Sequence, residues 1–276
     1  MLIAQLTDSH IRPEGALFAD VVDTLAMLES AVDTVLALSP RPDVVLVTGD
    51  LTNDGEPEAY AAIRPTLARL PMPVYAIPGN HDDREAMLAL NGVASIGAGS
   101  AFRQYAVDLD DLRLVALDSN VPGKPHGELC AERLDWLEAE LAATADRPVL
   151  IMVHHPPAET GIGFMDRIGL VPDERLDSII GRHATRIQRI VCGHIHRAIF
   201  YSWQGVPVSV APGVAHHVIL ALEGEEPAFV MEPPGFHLHH WSKAGGLVTH
   251  QVPIGAYPGP YRFSGNPEAT PHRPPA

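Results

Sequence analysis

Short apolar runs alternate with longer amphipathic stretches along most of the chain, a pattern typical of an α/β fold. The short runs are rich in β-branched residues and predict strands at Leu2–Leu6, Asp43–Thr48, Val74–Ile77, Val149–Val153 and Ile187–Cys192. In four longer stretches apolar residues recur every three or four positions, which predicts helices at Val21–Leu38, Glu56–Leu70, Glu132–Ala143 and Glu174–His183. We also expect a kink at Pro65, a short helix near Asp83–Leu90 and a hairpin over Phe102–Leu117 that turns at Asp110-Asp111.

The helical pattern stops after Ala198, and the rest of the chain predicts strands. They are expected at Ala198–Trp203, Pro207–Val210, Val218–Leu222, Phe236–Trp241 and Leu247–Val252. Residues 223–235 predict a long acidic loop, and the polar, proline-rich residues 264–276 are typical of a flexible tail. We therefore expect a core at 1–200 and a tail at 264–276. Between them, a β-rich part at 201–263 would complete the core and serve as a cap or an oligomer interface.

Charge and composition narrow the classes of partner. The formal net charge of −15 opposes binding to nucleic acid polymers, which requires clustered Lys and Arg. No apolar run approaches the roughly 18 to 20 residues of a membrane span. The 2 cysteines cannot build a disulfide framework, and the first strand begins without the basic and apolar start of a signal peptide. These features predict a cytoplasmic protein with no membrane partner and no nucleic acid partner.

Five of the predicted strands run into residues that can bind metal ions. The segments that follow them are Asp8-Ser9-His10, Gly49-Asp50-Leu51-Thr52-Asn53, Gly79-Asn80-His81-Asp82, His154-His155-Pro156 and Gly193-His194-Ile195-His196. In an α/β sheet the carboxyl ends of the strands form the edge where ligands bind. The pairs Asp8/His10 and His194/His196 place both side chains on one side of extended backbone. The sequence therefore predicts that the five segments converge on one site.

The side chains in these segments indicate which ions they bind. Imidazole, carboxylate and amide oxygen without thiolate suit Mn²⁺, Fe²⁺, Zn²⁺ or Co²⁺ better than a sulfur-rich structural zinc site does. Seven candidate ligands are too many for one tetrahedral ion but suit two octahedral ions that share a carboxylate. Two ions about 3.5–4 Å apart generate hydroxide at neutral pH and stabilise both the attacking and the leaving oxygen in phosphoryl transfer. We expect two divalent metal ions as the cofactor.

In this order, the motifs DSH, GDLTN, GNHD, HHPP and GHIH resemble those of the calcineurin-like metallophosphoesterase superfamily. Residues 1–215 look most like the branch of class III cyclic nucleotide phosphodiesterases and bacterial glycerophosphodiesterases. The resemblance implies an α/β fold in the form of a four-layer α-β-β-α sandwich, with the dimetal site at its edge. It also implies hydrolysis of a small-molecule phosphodiester, a cyclic nucleotide or a glycerophosphodiester, by a metal-held hydroxide.

The resemblance further implies a role for each residue of the site. The ligands of the first ion would be Asp8, His10 and His196, the bridging ligand Asp50, and the ligands of the second ion Asn80, His154 and His194. His154 and not His155 is the expected ligand, because the motif of the family is His-X-Pro. The catalytic group would comprise Asp50, Asn80 and the non-ligand His81, and the substrate would contact Asn80, His81 and His216. Asn53 and Asp82 would orient the ligands.

Several alternatives remain open at this point. The same ligands could serve a phosphomonoesterase, a hydrolase of phosphonates or phosphotriesters, or a non-catalytic metal-binding scaffold. Candidates for a pocket wall are Phe18, Phe164 and Met165, and candidates for contact with phosphate or a leaving group are Arg12 and Asn120. We expect His237, His239 and His240 at the surface or in an interface, because they alternate along a predicted strand. The all-β C-terminal part predicts a homo-oligomer, either a dimer or an assembly of dimers.

Overall fold

Two mixed β-sheets packed face to face form the centre of the fold. The computed structural model describes residues 1–13, 15–90, 93–94, 101–144, 147–224, 226–261 and 263. In the first sheet the strands of these residues are β1 (Leu2–Leu6), β2 (Val44–Val47), β3 (Val74–Ala76), β4 (Val93–Ala94), β13 (Gly235–Ser242) and β14 (Gly246–Pro253), in the order β14-β13-β1-β2-β3-β4. In the second they are β5 (Tyr105–Leu109), β6 (Leu112–Ala116), β7 (Val149–Met152), β8 (Ile187–Cys192), β9 (Ile199–Trp203) and β10 (Val206–Val210), in the order β5-β6-β7-β8-β10-β9. A separate short ribbon pairs β11 (His217–Val218) with β12 (Phe229–Val230).

Helices cover the outer face of each sheet. Two belong to the first sheet, α1 (Thr24–Ala37) and α2 (Pro57–Leu67), and a 3₁₀ turn at Ala86–Ala89 lies against α2. The second sheet carries α3 (Ala131–Ala143), α4 (Gly163–Asp166) and α5 (Glu174–His183). This arrangement confirms the predicted four-layer α-β-β-α sandwich. None of the described helices combines the length and the apolar character that crossing a membrane requires.

The residues of β2 show how the chain fills these layers. Val44 and Leu46 pack between the two sheets, whereas Val45 and Val47 pack against the helices of the first sheet. All four are buried, because a parallel strand inside a covered sheet has no face in contact with water. At roughly 1.5–3 kcal/mol for each large aliphatic side chain buried, such strands supply much of the driving force for folding.

Parallel pairing gives the strands of each sheet a common direction. In the first sheet β1, β2 and β3 pair in parallel, and in the second sheet β6, β7 and β8 do so. The segments that follow β1, β2 and β3 therefore leave the first sheet at one edge. Those that follow β7 and β8 leave the second sheet at the same edge, where the His194 backbone N–H donates to the Asp8 carboxylate at 3.1 Å. This edge is where the sequence predicts the metal site.

Most predicted elements are present with small shifts at their ends. The bounds of α5 and β8 are those predicted, and β5 and β6 form the expected hairpin with Asp110 and Asp111 between them. The first helix begins at Thr24 rather than Val21, because the Asp23 carboxylate caps it by accepting from the Ala26 backbone N–H at 3.0 Å. The helix near Asp83–Leu90 is only the 3₁₀ turn.

The predictions for the C-terminal part need three corrections. The predicted strand Val218–Leu222 retains only Val218, and the predicted acidic loop 223–235 contains β12. Participation of this part in the core is no correction, because β13 pairs with β1 and β10 pairs with β8. His237 and His239 are fully buried between the sheets instead of at the surface, and only His240 is exposed. The predicted tail 264–276 lies outside the described residues, and the domain boundaries stay a prediction.

Candidate metal centre

The loops at the common edge bring the predicted ligands together. The described residues contain four sets of three side chains that could hold a metal ion. In each set the candidate ligand atoms lie within 4.8 Å of one another. The sets are His10/His196/His216, His154/His155/His194, His10/Asp50/His81 and Asp8/Asp50/His154. They share members, so they form one continuous cluster. It contains every predicted ligand except Asn80, which contacts His154 and His194.

Asp50 lies at the centre of the cluster. Its Oδ2 atom is 3.5 Å from His10 Nε2 and 3.3 Å from His154 Nε2, so one oxygen faces both halves of the site. Its Oδ1 atom accepts a hydrogen bond of 2.9 Å from the backbone N–H of His81. Burial alone would raise the pKa of Asp50, but the imidazoles of His154 and His81 outweigh burial and hold it well below the usual range. An ionised carboxylate between two groups of ligands has the geometry of a bridging ligand.

One half of the cluster combines two carboxylates with two neutral imidazoles. His10 Nε2 lies 3.1 Å from His196 Nε2, which in turn lies 3.6 Å from Asp8 Oδ1. The Nδ1–H of His196 donates to the carbonyl of His216 at 3.1 Å, so its Nε2 keeps a free lone pair. Burial lowers the pKa of His196 to about 4 and that of His10 well below its ordinary value. Lone pairs that converge from neutral imidazoles beside two carboxylates fit a divalent cation.

The other half combines two imidazoles with an amide. Asn80 Oδ1 lies 3.2 Å from His154 Nε2 and 3.1 Å from His194 Nδ1. The Nδ1–H of His154 donates to the Thr48 carbonyl at 2.8 Å, which turns its Nε2 toward the site. His194 Nε2 is buried without a protein partner. Together with Asp50, these side chains offer the mixed nitrogen and oxygen set expected for a second divalent ion.

His155 differs from His154 in how its ring is used. The hydroxyl of Ser119 lies 2.8 Å from His155 Nδ1, and the carbonyl of Pro125 lies 3.2 Å from His155 Nε2. The carbonyl needs a donor, so Nε2 carries the proton and Nδ1 accepts from Ser119. Both nitrogens are therefore occupied, and the ring has no lone pair for a metal ion.

Glycines allow the loops to approach each other closely. A Cβ atom on Gly79 would collide with Oδ1 of Asp50 and lie 2.5 Å from its backbone nitrogen. A Cβ atom on Gly193 would collide with Thr7 Oγ1 and lie 3.1 Å from Asp8 Oδ2. The glycine of one motif thus leaves the space that a ligand of another motif occupies.

Asp82 ties the loop after β2 to the loop after β3. Its carboxylate accepts from the backbone N–H groups of Leu51, Thr52 and Gly79 at 2.9–3.1 Å and from the Tyr60 hydroxyl at 2.9 Å. Asn53 contributes through its backbone, because its carbonyl lies 2.6 Å from His81 Nδ1 while its side chain donates to Asp54. His81 is thereby held beside His10, with 4.7 Å between the ring centroids, and is the exposed histidine of the cluster.

Two walls flank the cluster. On the His81 side a cavity of about 500 Å³ opens to solvent and is lined by polar side chains that include Asn53, Asp54, His81, Asp83, Glu85 and Asn120. On the other side His216 lies near His10 and His196 and stacks on Phe18 at 4.2 Å between centroids. Burial lowers the pKa of His216 to about 3, so the ring is neutral at neutral pH.

Other candidate residues from the sequence have different positions. Phe164 and Met165 pack in the hydrophobic core under the second sheet and not at the site. Arg12 forms an ion pair of 3.1 Å with Asp54 at the rim. Asn120 donates its amide to backbone carbonyls of the loop after β3. Sequence reasoning missed this use of Asn120, because nothing in the pattern of residues 118–120 marks a partner 40 residues away.

Comparisons with known proteins agree with this geometry. Residues 1–198 match the model of the calcineurin-like phosphoesterase family. The chain belongs to the calcineurin-like phosphoesterase family. Members of this family use a dinuclear divalent metal centre, and the His/Asp cluster of this calcineurin-like chain has the ligands to hold one.

Two named relatives of this calcineurin-like phosphoesterase match 95% and 71% of its length. It is 36% identical to an Arcobacter nitrofigilis protein named "Probable glycerophosphodiester phosphodiesterase GpdQ", over 95% of this chain and 97% of that protein. It is 34% identical to "3',5'-cyclic adenosine monophosphate phosphodiesterase CpdA" of Pseudomonas aeruginosa, over 71% of this chain and 70% of that protein. A dimetal phosphatase from Danio rerio has the same fold, with a TM-score of 0.63 at 15% identity over 92% of this chain and 99% of that chain.

Proposed function

We propose that this chain is a dinuclear metal-dependent phosphodiesterase that hydrolyses small-molecule phosphodiesters to a monoester and an alcohol. The observation that carries the proposal is the position of Asp50, whose Oδ2 faces His10 on one side and His154 on the other. Relatives named as glycerophosphodiester and cyclic nucleotide phosphodiesterases support the substrate class. Both kinds of diester are therefore candidates for the natural substrate.

The ligands divide into two groups around Asp50. In this proposal Asp8, His10 and His196 hold the first ion, Asp50 bridges, and Asn80, His154 and His194 hold the second. When bound, the two ions lower the pKa of coordinated water and neutralise the charge of the phosphate. The protein keeps two of the four ligand imidazoles in the tautomer that binding requires, because backbone carbonyls accept the Nδ1–H of His154 and of His196.

His81 and His216 are the groups we assign to the substrate. The Nδ1–H of His81 donates to the Asn53 carbonyl at 2.6 Å, so Nε2 is the nitrogen left for a phosphate or leaving-group oxygen. His81 is exposed at the cavity, so its ring is accessible to a substrate that enters there. The neutral His216 ring, which stacks on Phe18, offers a hydrogen bond on the opposite side of the site.

The cavity supports a small substrate rather than a polymer. About 500 Å³ accommodates a glycerol or nucleoside group. The net charge of −15 opposes the binding of a polyanion. The identity of the ions is proposed from the ligand types as Mn²⁺, Fe²⁺, Zn²⁺ or Co²⁺. We further propose a cytoplasmic enzyme, which agrees with its two free cysteines.

A homo-oligomer, either a dimer or an assembly of dimers, is also proposed. The eight-residue strand β14 lies at an edge of the first sheet and β9 at an edge of the second, and they expose Val248 and Phe200. Free edges with exposed apolar side chains favour association with another copy. Sedimentation should show a species larger than 29.7 kDa, and a purely monomeric sample would contradict this part of the proposal.

The activity is tested with metal-depleted protein reconstituted with Mn²⁺. We expect the rate of hydrolysis of bis(p-nitrophenyl) phosphate to be well above that of p-nitrophenyl phosphate or a phosphotriester. A panel of 3′,5′- and 2′,3′-cyclic nucleotides and glycerophosphodiesters is then used to find the natural substrate. Asp50→Asn should lower kcat/KM by more than about 100-fold, since loss of a ligand exceeds the effect of losing an orienting group. Asp135→Asn, the same change at an exposed ion pair on α3, serves as the control.

Three outcomes would overturn the proposal. A wild-type protein that binds Mn²⁺ but cleaves no diester would favour a metal-binding scaffold. A clear preference for the monoester would indicate a phosphomonoesterase. Activity retained in Asp50→Asn would remove the bridging role of this carboxylate.

A further inference from the structure

The turn that follows β6 reaches the metal centre without supplying one of its proposed ligands. It consists of Asp118, Ser119 and Asn120, all of them buried. We propose that Asn120 is a positioning residue that holds the loop Gly79–Asp82 so that Asn80 and His81 face the second ion and the substrate. This inference rests on the proposed function for the role of the ions, but its central measurement does not depend on catalysis.

The side-chain amide of Asn120 donates hydrogen bonds to the loop Gly79–Asp82 on both sides of Asn80 and His81. Its Nδ2 donates to the carbonyl of Gly79 and, at 3.2 Å, to the carbonyl of Asp82. These two carbonyls enclose Asn80 and His81 in the chain. Because both N–H groups of one amide are used, the ends of the four-residue loop are held at a fixed separation.

Asn120 is itself held by its own turn, by α3 and by Arg84, which follows the loop Gly79–Asp82. Its backbone N–H donates to Asp118 Oδ1 at 3.0 Å, and its carbonyl accepts from Arg84 at 2.5 Å and from Arg133 of α3 at 3.0 Å. Arg84 also pairs with the buried Asp118 carboxylate at 2.6 Å. Because charged groups fix the backbone of Asn120, its side chain can hold the loop Gly79–Asp82 at a set position relative to α3 and β6.

The same turn contacts the second half of the ligand set. Ser119 Oγ lies 2.8 Å from Nδ1 of His155, whose ring lies 4.8 Å from that of His154 and 4.5 Å from that of His194. Residues 118–120 therefore touch the surroundings of Asn80, His154 and His194, the three terminal ligands proposed for the second ion. Among the described residues, none of the hydrogen bonds of this turn reaches Asp8, His10 or His196, so the effect of the turn should be confined to the second ion.

The test uses Asn120→Ala and Asn120→Asp, the second of which keeps the shape but replaces two donors by an oxygen that repels the carbonyls. Mn²⁺ titration followed by calorimetry and EPR should show one of the two sites losing roughly 10- to 100-fold in affinity and the other site unchanged. Mn²⁺–Mn²⁺ coupling in the EPR spectrum should disappear at concentrations that saturate the wild type. In the catalytic assay kcat should fall more than KM rises.

Leu176→Ala in α5 provides the control for general destabilisation. It removes a core side chain on the far face of the second sheet and should lower the Tm of the metal-free protein while both Mn²⁺ affinities stay the same. Positioning by Asn120 would be overturned if both variants bind two ions as the wild type does. It would also be overturned if both sites weaken equally, or if only KM changes, which would mean that Asn120 contacts the substrate. A wild type that binds two ions but hydrolyses no diester refutes the proposed function and leaves the binding result valid.

Discussion

At the scale of single residues, the site depends on backbone conformations that are unfavourable elsewhere. Five of the proposed ligands, Asp8, His10, Asp50, His194 and His196, have φ angles between 45° and 72°. Each left-handed residue with a side chain costs roughly 1–2 kcal/mol. The sharp turns let a side chain leave the end of a strand toward the common edge. The close approach of Gly79 and Gly193 to carboxylates of other motifs has the same purpose.

Gly79→Ala tests whether this close approach is required. The added methyl group would overlap Asp50 Oδ1, so the loop or the bridging carboxylate must move. We expect the loss of at least one Mn²⁺ per chain and a fall in kcat/KM of more than about 100-fold. Gly181→Ala makes the same change inside α5, where nothing lies within 4 Å of the new atom, and should stabilise the protein by roughly 0.5–1 kcal/mol. Two bound ions in Gly79→Ala, measured by elemental analysis, would contradict the steric argument.

At the scale of elements, the sequence predicts best where one pattern has one structural solution. The 3.6-residue period and the Asp173 cap define α5, and the two-residue polar turn defines the hairpin of β5 and β6. The five strands that end in Asp, Asn or His residues predict the candidate site, because parallel strands share a direction. These predictions need no knowledge of which sheet a strand joins.

The alternation in β13 misled the sequence analysis for a physical reason. His237 and His239 alternate with Phe236 and Leu238, which is the pattern of a half-exposed strand. In the structure β13 lies between β1 and β14, and the second sheet covers its histidine face. His239 is satisfied by Gln5 at 3.0 Å and Thr249 at 2.8 Å. These histidines are buried because the two sheets pack against each other. A local sequence pattern carries no information about that packing.

The burial of His237 predicts a measurable pH dependence of stability. Burial and the nearby Arg189 lower its pKa to about 4 from an ordinary 6.5. As the pH falls below about 6.5, His237 becomes protonated in the unfolded chain, whereas in the folded chain it stays neutral until about pH 4. The stability due to the neutral ring is therefore complete above pH 6.5 and is lost between 6.5 and 4, by at most about 3 kcal/mol at 1.36 kcal/mol per pH unit.

The variant His237→Leu should remove this part of the pH dependence. Urea unfolding at pH 7, 6 and 5 should show a smaller loss of stability for the variant than for the wild type. At pH 7 the variant should be at least as stable, since both ring nitrogens of His237 are buried without a partner. His240→Leu, on the exposed side of the same strand, should follow the wild-type curve. Parallel curves for His237→Leu and the wild type would refute the assignment.

At the scale of the whole molecule, each ion in the proposed site joins the two sheets. The first would be held by Asp8 and His10 from the first sheet and by His196 from the second. The second would be held by Asn80 from the first sheet and by His154 and His194 from the second. Burial, and after it the charge of the neighbouring Asp50 carboxylate, raises the pKa of Asp8, so the two buried carboxylates repel each other. Bound cations would relieve that repulsion and link the halves of the sandwich in a chain of net charge −15.

Removal of the ions should therefore destabilise the entire sandwich and not only the loops. Each ion stabilises the folded state by about 2.7 kcal/mol when its free concentration is 100 times its Kd. We expect EDTA-treated protein to melt several degrees below protein in Mn²⁺, in a single cooperative transition. Ca²⁺ at the same concentration controls for general screening of the acidic surface, because it prefers oxygen ligands and should restore much less of the Tm. Asp50→Asn should respond weakly to Mn²⁺. Equal Tm values in EDTA and Mn²⁺, or equal effects of Ca²⁺ and Mn²⁺, would show that the cluster does not join the sheets through bound ions.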